Sequence, residues 1–253
     1  KNNFVMNSHS INVLDFYKSG HHRQYLEGTS MVYSYGTFRG SRLKDINYAI
    51  WFGIQYYILK YLVEDWNKNF FSKDINQITA KYQRRMDNAL GKGAVTTEHI
   101  RALHTLGYLP IKIKSLPEGT KVPMRVPVYT VYNTHPDFFW LTNYIETDMS
   151  MNLWKAPTQA ALFYMYRKRF EGFYLKTVGD QSSAGIVKWQ GHCFADRGMS
   201  YREDAAMTSA AFLTCFYGTD GVMGIDLLED FYGANSDREI VGGSIPATEH
   251  SVM

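Results

Sequence analysis

The chain has 253 residues, of which 45% are hydrophobic and 20% are charged, and its formal net charge is +3. A chain of this length and apolar content can bury a large core as one domain or two, which argues against intrinsic disorder. The small positive charge argues against a general polyanion binder, and we expect no nucleic-acid partner, although it suits local clusters of Lys and Arg that face phosphate groups.

The two cysteines and the lengths of the apolar runs indicate the cellular compartment of the protein. Cys193 and Cys215 form neither a metal-ligand spacing nor a framework of paired bridges, which is typical of a reducing environment. No apolar run approaches the roughly 20 residues that span a bilayer, and no segment resembles a signal peptide. We therefore expect a cytoplasmic protein without membrane contact.

Hydrophobic periodicity predicts helices in the first part of the chain. The first runs through "DINYAIWFGIQYYILKYL", where Ile50, Ile54 and further apolar residues recur every four positions and form one buried stripe. A second helix is predicted near 72–90 before Gly91, and a third is predicted to end at Gly107, because glycine commonly follows the last helical residue. We interpret all three as packing elements.

Residues 109–133 carry an extended pattern. "PIKIKSL" alternates apolar and polar residues, "PEG" is typical of a turn, and "VPVYTVYN" is rich in β-branched and aromatic residues. We predict a β-hairpin. Pro127 lies within its second strand, and because proline cannot donate to a strand ladder, it indicates an edge strand or a bulge.

Helices are predicted near 137–152 and 157–176, after which short apolar strands alternate with helices. Strands are predicted in "AGIVKWQGHCFADRG", "LTCFYGTD" and "EIVGGSIPATEH", and helices in "SYREDAAMTSAAF" and "GVMGIDLLEDFYG". This βαβαβ succession predicts an α/β fold with a parallel sheet or the opening part of a barrel.

Polar and aromatic side chains follow each of these three strands. They are His192, Phe194, Asp196 and Arg197 after the first strand, Asp220 after the second, and Ser244, Glu249 and His250 after the third. The carboxyl ends of parallel strands are where α/β sheets and barrels build their ligand sites. We therefore predict a binding site formed by these three segments.

Seven motifs carry a family resemblance. In chain order they are "LDFYKSGHHRQY", "MVYSYGTFRG", "LPIKIKSLPEG", "VYNTHPDFFWLTNYIET", "FADRGMS", "GTDGVMG" and "SIPATEHS". In this order and at these spacings they resemble the nicotinamide phosphoribosyltransferases over nearly the whole chain. The resemblance implies an α+β domain over residues 1–155, followed over residues 156–253 by the first βα units of a TIM-like barrel. It also implies that nicotinamide is joined to phosphoribosyl pyrophosphate, giving nicotinamide mononucleotide and pyrophosphate in NAD salvage.

The resemblance assigns four residues to the nicotinamide ring. It implies that Phe194 stacks on one face, that Tyr17 of a partner subunit covers the other, and that Asp220 and Ser244 contact the carboxamide. Aromatic faces suit a flat heterocycle, and an ionised Asp accepts from an NH2 but repels a carboxylate, which favours nicotinamide over nicotinate. The alternatives are that Phe194 belongs to the core and that Asp220 caps the helix after it.

The resemblance assigns other N-terminal and barrel residues to phosphate groups. It implies that Arg197 and Arg39 hold phosphates, with Arg39 reaching the site from the second subunit of a homodimer with shared active sites. A planar guanidinium binds phosphate oxygens in bidentate fashion. Asp15 belongs to the same N-terminal motif and is a further candidate for the substrate site. For Arg39 a solvated surface charge is the alternative.

The last motif implies a phosphorylated histidine. His250 matches the His that the family phosphorylates with ATP, and a neutral imidazole carries the lone pair that this step needs. Glu249 beside it is expected to orient the ring or a metal-bound water. The resemblance thus implies ATP and phosphoribosyl pyrophosphate as substrates and Mg²⁺ as cofactor, with the magnesium ligands outside this chain.

Chains of the family continue for about as long again. We therefore expect a chain that ends at Met253 to be a fragment, a processed chain or one half of a split protein, with an incomplete barrel. Two other functions remain open. One is a nicotinate phosphoribosyltransferase, which Asp220 disfavours, and the other is an inactive half that needs a separate C-terminal chain.

Overall fold

The computed structural model describes residues 9–179 and 184–253, which pack into two compact units. Each unit is assembled from separate stretches of the chain. Unit 1 contains the described residues up to 37 together with 56–116 and 127–152, and unit 2 contains 38–55, 117–126, and the described residues from 153 onward.

Helices and strands alternate irregularly along the described residues, giving a mixed α/β protein. The α-helices are α1 (Ile54–Tyr57), α2 (Ile75–Leu90), α3 (Glu98–Leu106), α4 (Leu141–Tyr144), α5 (Glu146–Leu153), α6 (Lys155–Thr177), α7 (Arg202–Leu213) and α8 (Val222–Tyr232). The strands are β1 (Tyr33–Thr37), β2 (Tyr48–Ile50), β3 (Ile111–Ser115), β4 (Lys121–Pro123), β5 (Pro127–Asn133), β6 (His192–Cys193) and β7 (Gly218–Thr219). Helical hydrogen bonding of the π type continues α1 over Ile58–Asp65 and Asn67–Phe71.

Unit 1 contains an antiparallel sheet with the strand order β1-β5-β3. The predicted pairing of β3 with β5 is confirmed, although β4 lies between them in the chain and pairs with β2 in unit 2. Because β5 is the central strand, the prediction that Pro127 marks an edge is wrong. The predicted bulge is confirmed, since Pro127 lies opposite Thr37 where the register shifts.

The predicted helices are confirmed at α2 and α3, where Gly91 and Gly107 follow the last helical residue with φ of 100° and 84°. Positive φ values of this size favour glycine. The predicted first helix is wrong at its start, because Tyr48–Ile50 form β2 and the helix begins only at Ile54. A short apolar run fits strand and helix equally well, and Gly53, with φ of 104°, separates the two elements.

In unit 2, α7 packs against both α6 and α8. Lys155 at the start of α6 forms a 2.6 Å ion pair with the buried carboxylate of Asp204 in the first turn of α7. The amide of Ser200 donates to the same carboxylate at 3.0 Å. A buried carboxylate is costly unless it is paired and hydrogen-bonded, so these contacts fix the start of α7 against α6.

The predicted parallel pairing in unit 2 is confirmed, although its strands are shorter than predicted. His192 lies opposite Gly218 in the pair β6–β7, and an isolated parallel bridge joins Gly218 to Gly243. The strand predicted in "AGIVKW" is wrong, because Ala184–Trp189 form a 3-10 helix. A six-residue apolar run does not by itself distinguish a strand from a helical turn.

The described residues include no helix that has both the length and the apolar character needed to cross a membrane. The longest, α6, carries several Lys and Arg residues among its aromatic ones.

A pair of stacked histidines lies in unit 1. The rings of His22 and His99 are 3.7 Å apart at their centroids and 18° from parallel, and neither nitrogen of His99 has a hydrogen-bond partner among the described residues. Burial, with smaller contributions from His22 and Arg23, lowers the pKa of His99 to about 3. Burial also lowers the pKa of His22. Burial therefore disfavours the charged form of both rings.

We expect the thermal unfolding midpoint to fall as the pH falls below 6.5. The unfolded chain protonates His99 near pH 6.5, whereas the folded chain does not until about pH 3, so stability is lost across this window, by at most about 1.4 kcal/mol per pH unit. Calorimetry between pH 7.5 and 4.5 should show a flatter dependence for His99→Phe than for the unmodified chain.

His104→Gln is the matched control, because His104 is partly exposed and its Nε2 pairs with the carbonyl of Lys73 at 3.0 Å. Asp148 must be considered as well. Burial raises its pKa to about 6, so its protonation stabilises the fold as the pH falls and opposes the histidine effect. Identical pH profiles for the unmodified chain and His99→Phe would contradict the prediction.

Candidate functional site

Three segments of the chain meet at the carboxyl ends of β6 and β7 in unit 2. The amide of Asp220 donates to the carbonyl of Cys193 at 3.0 Å, and the amide of Thr219 donates to the carbonyl of Gly243 at 2.9 Å. These bonds place the residues that follow each segment side by side. A concave site of about 470 Å³ results, lined by Phe194, Asp196, Arg197, Asp220 and Gly221.

The carboxylate of Asp220 connects the three segments. Its Oδ1 accepts a hydrogen bond from Ser244 Oγ at 2.6 Å and lies 2.7 Å from His192 Nε2. The hydrogen bonds from Ser244 and His192 lower the pKa of Asp220, which keeps it ionised at neutral pH. The alternative that Asp220 caps α8 is wrong, because the N-cap residue is Gly221 and the carboxylate of Asp220 contacts Ser244 and His192 instead of the first amides of the helix.

Phe194 presents its ring to the site. The side chain is 68% exposed, so the alternative that it belongs to the core is wrong. The ring stacks on His192 with a centroid distance of 4.6 Å and an interplanar angle of 30°. An exposed aromatic face beside a carboxylate suits a planar ligand that carries a hydrogen-bond donor.

The floor of the site is closely packed around Gly221. A Cβ on this residue would lie 2.2 Å from Ser209 Oγ and 2.8 Å from Asp196 Oδ1. Ser209 is fully buried, and its hydroxyl lies 3.4 Å from Thr219 Oγ1 and 3.5 Å from Asp196 Oδ1. Glycine is therefore required where the start of α8 approaches α7.

The two predicted phosphate-binding arginines both lie in unit 2. Arg197 is exposed at the concave site, and its guanidinium has no hydrogen bond or ion pair within the described ranges. Arg39 is also exposed, its carbonyl accepts from Arg125 Nε at 3.5 Å, and its guanidinium has no hydrogen bond or ion pair to any other described residue. The surface-charge alternative for Arg39 therefore stays open.

Glu249 and His250 are exposed at a short 3-10 turn, His250–Val252. A carboxylate oxygen of Glu249 accepts from Ser251 Oγ. Within the part of the chain that the structure describes, no hydrogen bond or ion pair joins either residue to Asp220. The turn thus leaves His250 accessible, without placing it in the concave site.

Asp15 and Tyr17 lie in unit 1. Asp15 precedes a 3-10 helix at Phe16–Arg23, and Tyr17 lies in its first turn. Asp15 accepts from Thr147 Oγ1 at 2.6 Å, and buried Lys18 pairs with Glu146. These contacts fix the segment at both sides of Tyr17, whose side chain is 61% exposed. Tyr17 is therefore held in place yet free to contact another molecule.

The position of His192 after the first predicted strand predicts it at the site but assigns it no individual role. Its ring contacts both Phe194 and Asp220. The available signal was the spacing of His192 and Phe194, because residues two apart in an extended segment point to the same face.

The residues 9–179 and 184–253 contain no group of three His, Cys, Asp or Glu side chains that could hold a metal ion. Mg²⁺ commonly binds through one or two carboxylates plus substrate phosphates.

Comparisons with known proteins agree with the motifs. The family model "Nicotinamide phosphoribosyltransferase, N-terminal domain" matches residues 10–113. The nicotinamide phosphoribosyltransferase of Acinetobacter baylyi is 50% identical over 248 residues, which are 96% of this chain and 48% of that protein. The chain is similar to nicotinamide phosphoribosyltransferases over most of its length. It spans about half the length of the curated relatives it matches.

A second relative and a solved structure are more distant. The nicotinamide phosphoribosyltransferase of Xanthomonas campestris pv. campestris is 29% identical over 94% of this chain and 47% of that protein. The crystal structure of human nicotinic acid phosphoribosyltransferase aligns with a TM-score of 0.54 and 14% identity over 84% of this chain and 37% of that one. At this identity the likeness concerns the fold alone.

Proposed function

We propose that this chain supplies the nicotinamide-binding part of a nicotinamide phosphoribosyltransferase that acts in NAD salvage. The observation that carries the proposal is the exposed ring of Phe194 beside the ionised carboxylate of Asp220. An aromatic face and a hydrogen-bond acceptor match a planar heterocycle with a carboxamide. The relatives of this chain that bear this name support the same substrate.

In the proposed reaction the pyridine nitrogen of nicotinamide attacks C1 of the ribose. The new N–C bond forms as the C–O bond to pyrophosphate breaks, and pyrophosphate leaves with the bonding electrons. Positive charge develops on the pyridine ring, so contacts with the face of Phe194 and with Asp220 strengthen toward the transition state. Arg197 binds a phosphate of the second substrate, phosphoribosyl pyrophosphate.

We further propose that residues 156–253 form the first part of a TIM-like barrel and that residues 1–155 form the preceding domain. Because the chain spans about half of each relative, the complete reaction is proposed to require the remaining part of the barrel. In a homodimer, the partner copy contributes Tyr17, Asp15 and Arg39 to the site around Phe194. The exposed side chains of these N-terminal residues support this arrangement.

ATP coupling is proposed to pass through His250. A neutral ring nitrogen attacks the γ-phosphorus of ATP, forms a P–N bond and breaks the P–O bond to ADP, while Glu249 orients the ring. The exposed position of His250 supports its access to a nucleotide. Mg²⁺ is proposed as the cofactor of the substrate phosphates.

Nicotinate is the second candidate substrate, favoured by the shared fold with human nicotinic acid phosphoribosyltransferase. The ionised Asp220 argues against it, because two carboxylates repel each other at close range. Competition between nicotinamide and nicotinate for this chain decides between the two substrates.

We expect Phe194→Ala to weaken nicotinamide binding about tenfold, because the variant loses the stacking face. Titration calorimetry or ligand-detected NMR on this chain measures the effect. Phe173→Ala is the matched control, since Phe173 is 64% exposed on α6, outside the concave site. Equal losses of affinity in both variants would contradict a stacking role for Phe194.

We expect Asp220→Asn to lower the preference for nicotinamide over nicotinate. An amide can donate to the carboxylate of nicotinate, whereas an ionised Asp cannot. The ratio of the two dissociation constants measures the preference, with Asp226→Asn on α8 as the control for loss of charge. An unchanged ratio in Asp220→Asn would mean that another group recognises the amide.

We expect Tyr17→Ala and Phe194→Ala variants to complement each other when they are mixed. If the sites are shared, a mixed dimer carries both substitutions at one of its sites and none at the other. About half of the dimers formed by random mixing are mixed dimers, so roughly a quarter of the activity should return. The assay uses a chimera in which this chain is joined to the part of the Acinetobacter baylyi relative that it does not span. Absence of recovery would refute shared sites.

We expect His250→Ala to abolish ATP stimulation of the chimera while a slow ATP-independent reaction remains, because the histidine does not take part in the glycosidic bond change. Labelled ATP should leave acid-labile phosphate on the unmodified protein and on His104→Gln, but not on His250→Ala. Acid-labile phosphate on His250→Ala would show that the assignment is wrong.

A further inference from the structure

We propose that His192 is a positioning residue that determines which oxygen of Asp220 reads the ligand. His192 Nε2 and Ser244 Oγ both donate hydrogen bonds to Asp220 Oδ1. Oδ2 then remains as the acceptor for the amide of the ligand. This deepens the proposed function and rests on it for the identity of the ligand as a planar carboxamide.

The direction of the hydrogen bond follows from charge. Asp220 is ionised, so its oxygens carry no proton, and the 2.7 Å contact requires His192 Nε2 to be the donor. In the neutral ring the hydrogen therefore lies on Nε2 and the lone pair on Nδ1. Gly218 leaves room beside Nδ1, since a Cβ there would lie only 2.8 Å from this nitrogen.

The two donors converge on one carboxylate oxygen. Ser244 Oγ reaches Oδ1 at 2.6 Å, from the opposite end of the βαβαβ segment, and His192 reaches the same atom from β6. Oδ2 receives no hydrogen bond from any residue that the structure describes. The carboxylate is thus held at one oxygen and available at the other, which suits a single NH donor.

The same histidine also supports the aromatic face. His192 stacks on Phe194 at 4.6 Å, so one ring contacts both groups proposed to read the ligand. A purely packing role would require only the ring shape, whereas a positioning role requires the Nε2 donor. These two roles are separable by substitution.

The test compares His192→Gln with His192→Phe in nicotinamide binding to this chain. Glutamine places an amide donor near the position of Nε2 without an aromatic ring, and phenylalanine keeps the ring without a donor. We expect His192→Phe to lose about tenfold in affinity and His192→Gln to stay within about threefold, as expected for a hydrogen bond to a charged group. The reverse order would overturn the proposal.

A second readout does not depend on any ligand. Carbon-13 NMR titration of the Asp220 carboxyl should show a higher midpoint in His192→Phe and in Ser244→Ala than in the unmodified chain, and little change in His192→Gln. Nitrogen-15 spectra of the His192 ring should show the hydrogen on Nε2. An unchanged Asp220 midpoint in His192→Phe, or a His192 ring without a hydrogen on Nε2, would overturn the proposal.

The two readouts distinguish the possible failures. If the Asp220 titration responds as expected but no variant binds nicotinamide, the positioning role stands and the proposed function fails. If nicotinamide binds and the titration does not respond, the proposed function stands and the positioning role fails.

Discussion

The site depends on how closely three parallel segments approach one another at Gly218. This glycine lies opposite His192 on one side and Gly243 on the other. A Cβ at this position would lie 2.5 Å from the carbonyl oxygen of Gly191, so any larger residue would separate the segments. Their close approach is what allows Asp220 to meet donors from two neighbours, and these donors in turn lower the pKa of Asp220.

Much of the fold follows from local sequence signals. α2 and α3 carry long periodic patterns that end at glycine, and such patterns are the most informative ones. The signals fail where apolar runs are short, as at Tyr48–Ile50 and Ala184–Trp189, because partners distant in sequence then decide the conformation. Pro127 lies in a central strand, where proline is normally excluded because it cannot donate a hydrogen bond, and the bulge opposite it makes this position possible.

The site shows a similar division. Phe194, Asp220 and Ser244 could be predicted to converge because each follows a segment of one parallel arrangement. The hydrogen bond from His192 could not be predicted, because its geometry depends on the register and on a side-chain rotamer. The roles proposed for Tyr17 and Arg39 involve a second copy of the chain, about which one sequence gives no positional information.

The interleaving of the two units has a consequence for biosynthesis. The chain passes between units after residues 37, 55, 116, 126 and 152. During translation, strand β1 must therefore wait for β5, which is synthesised about ninety residues later and is its only partner among the described strands. Until then its tyrosines and unpaired amides are available to other strands, which makes pairing with the wrong partner a hazard of this chain order.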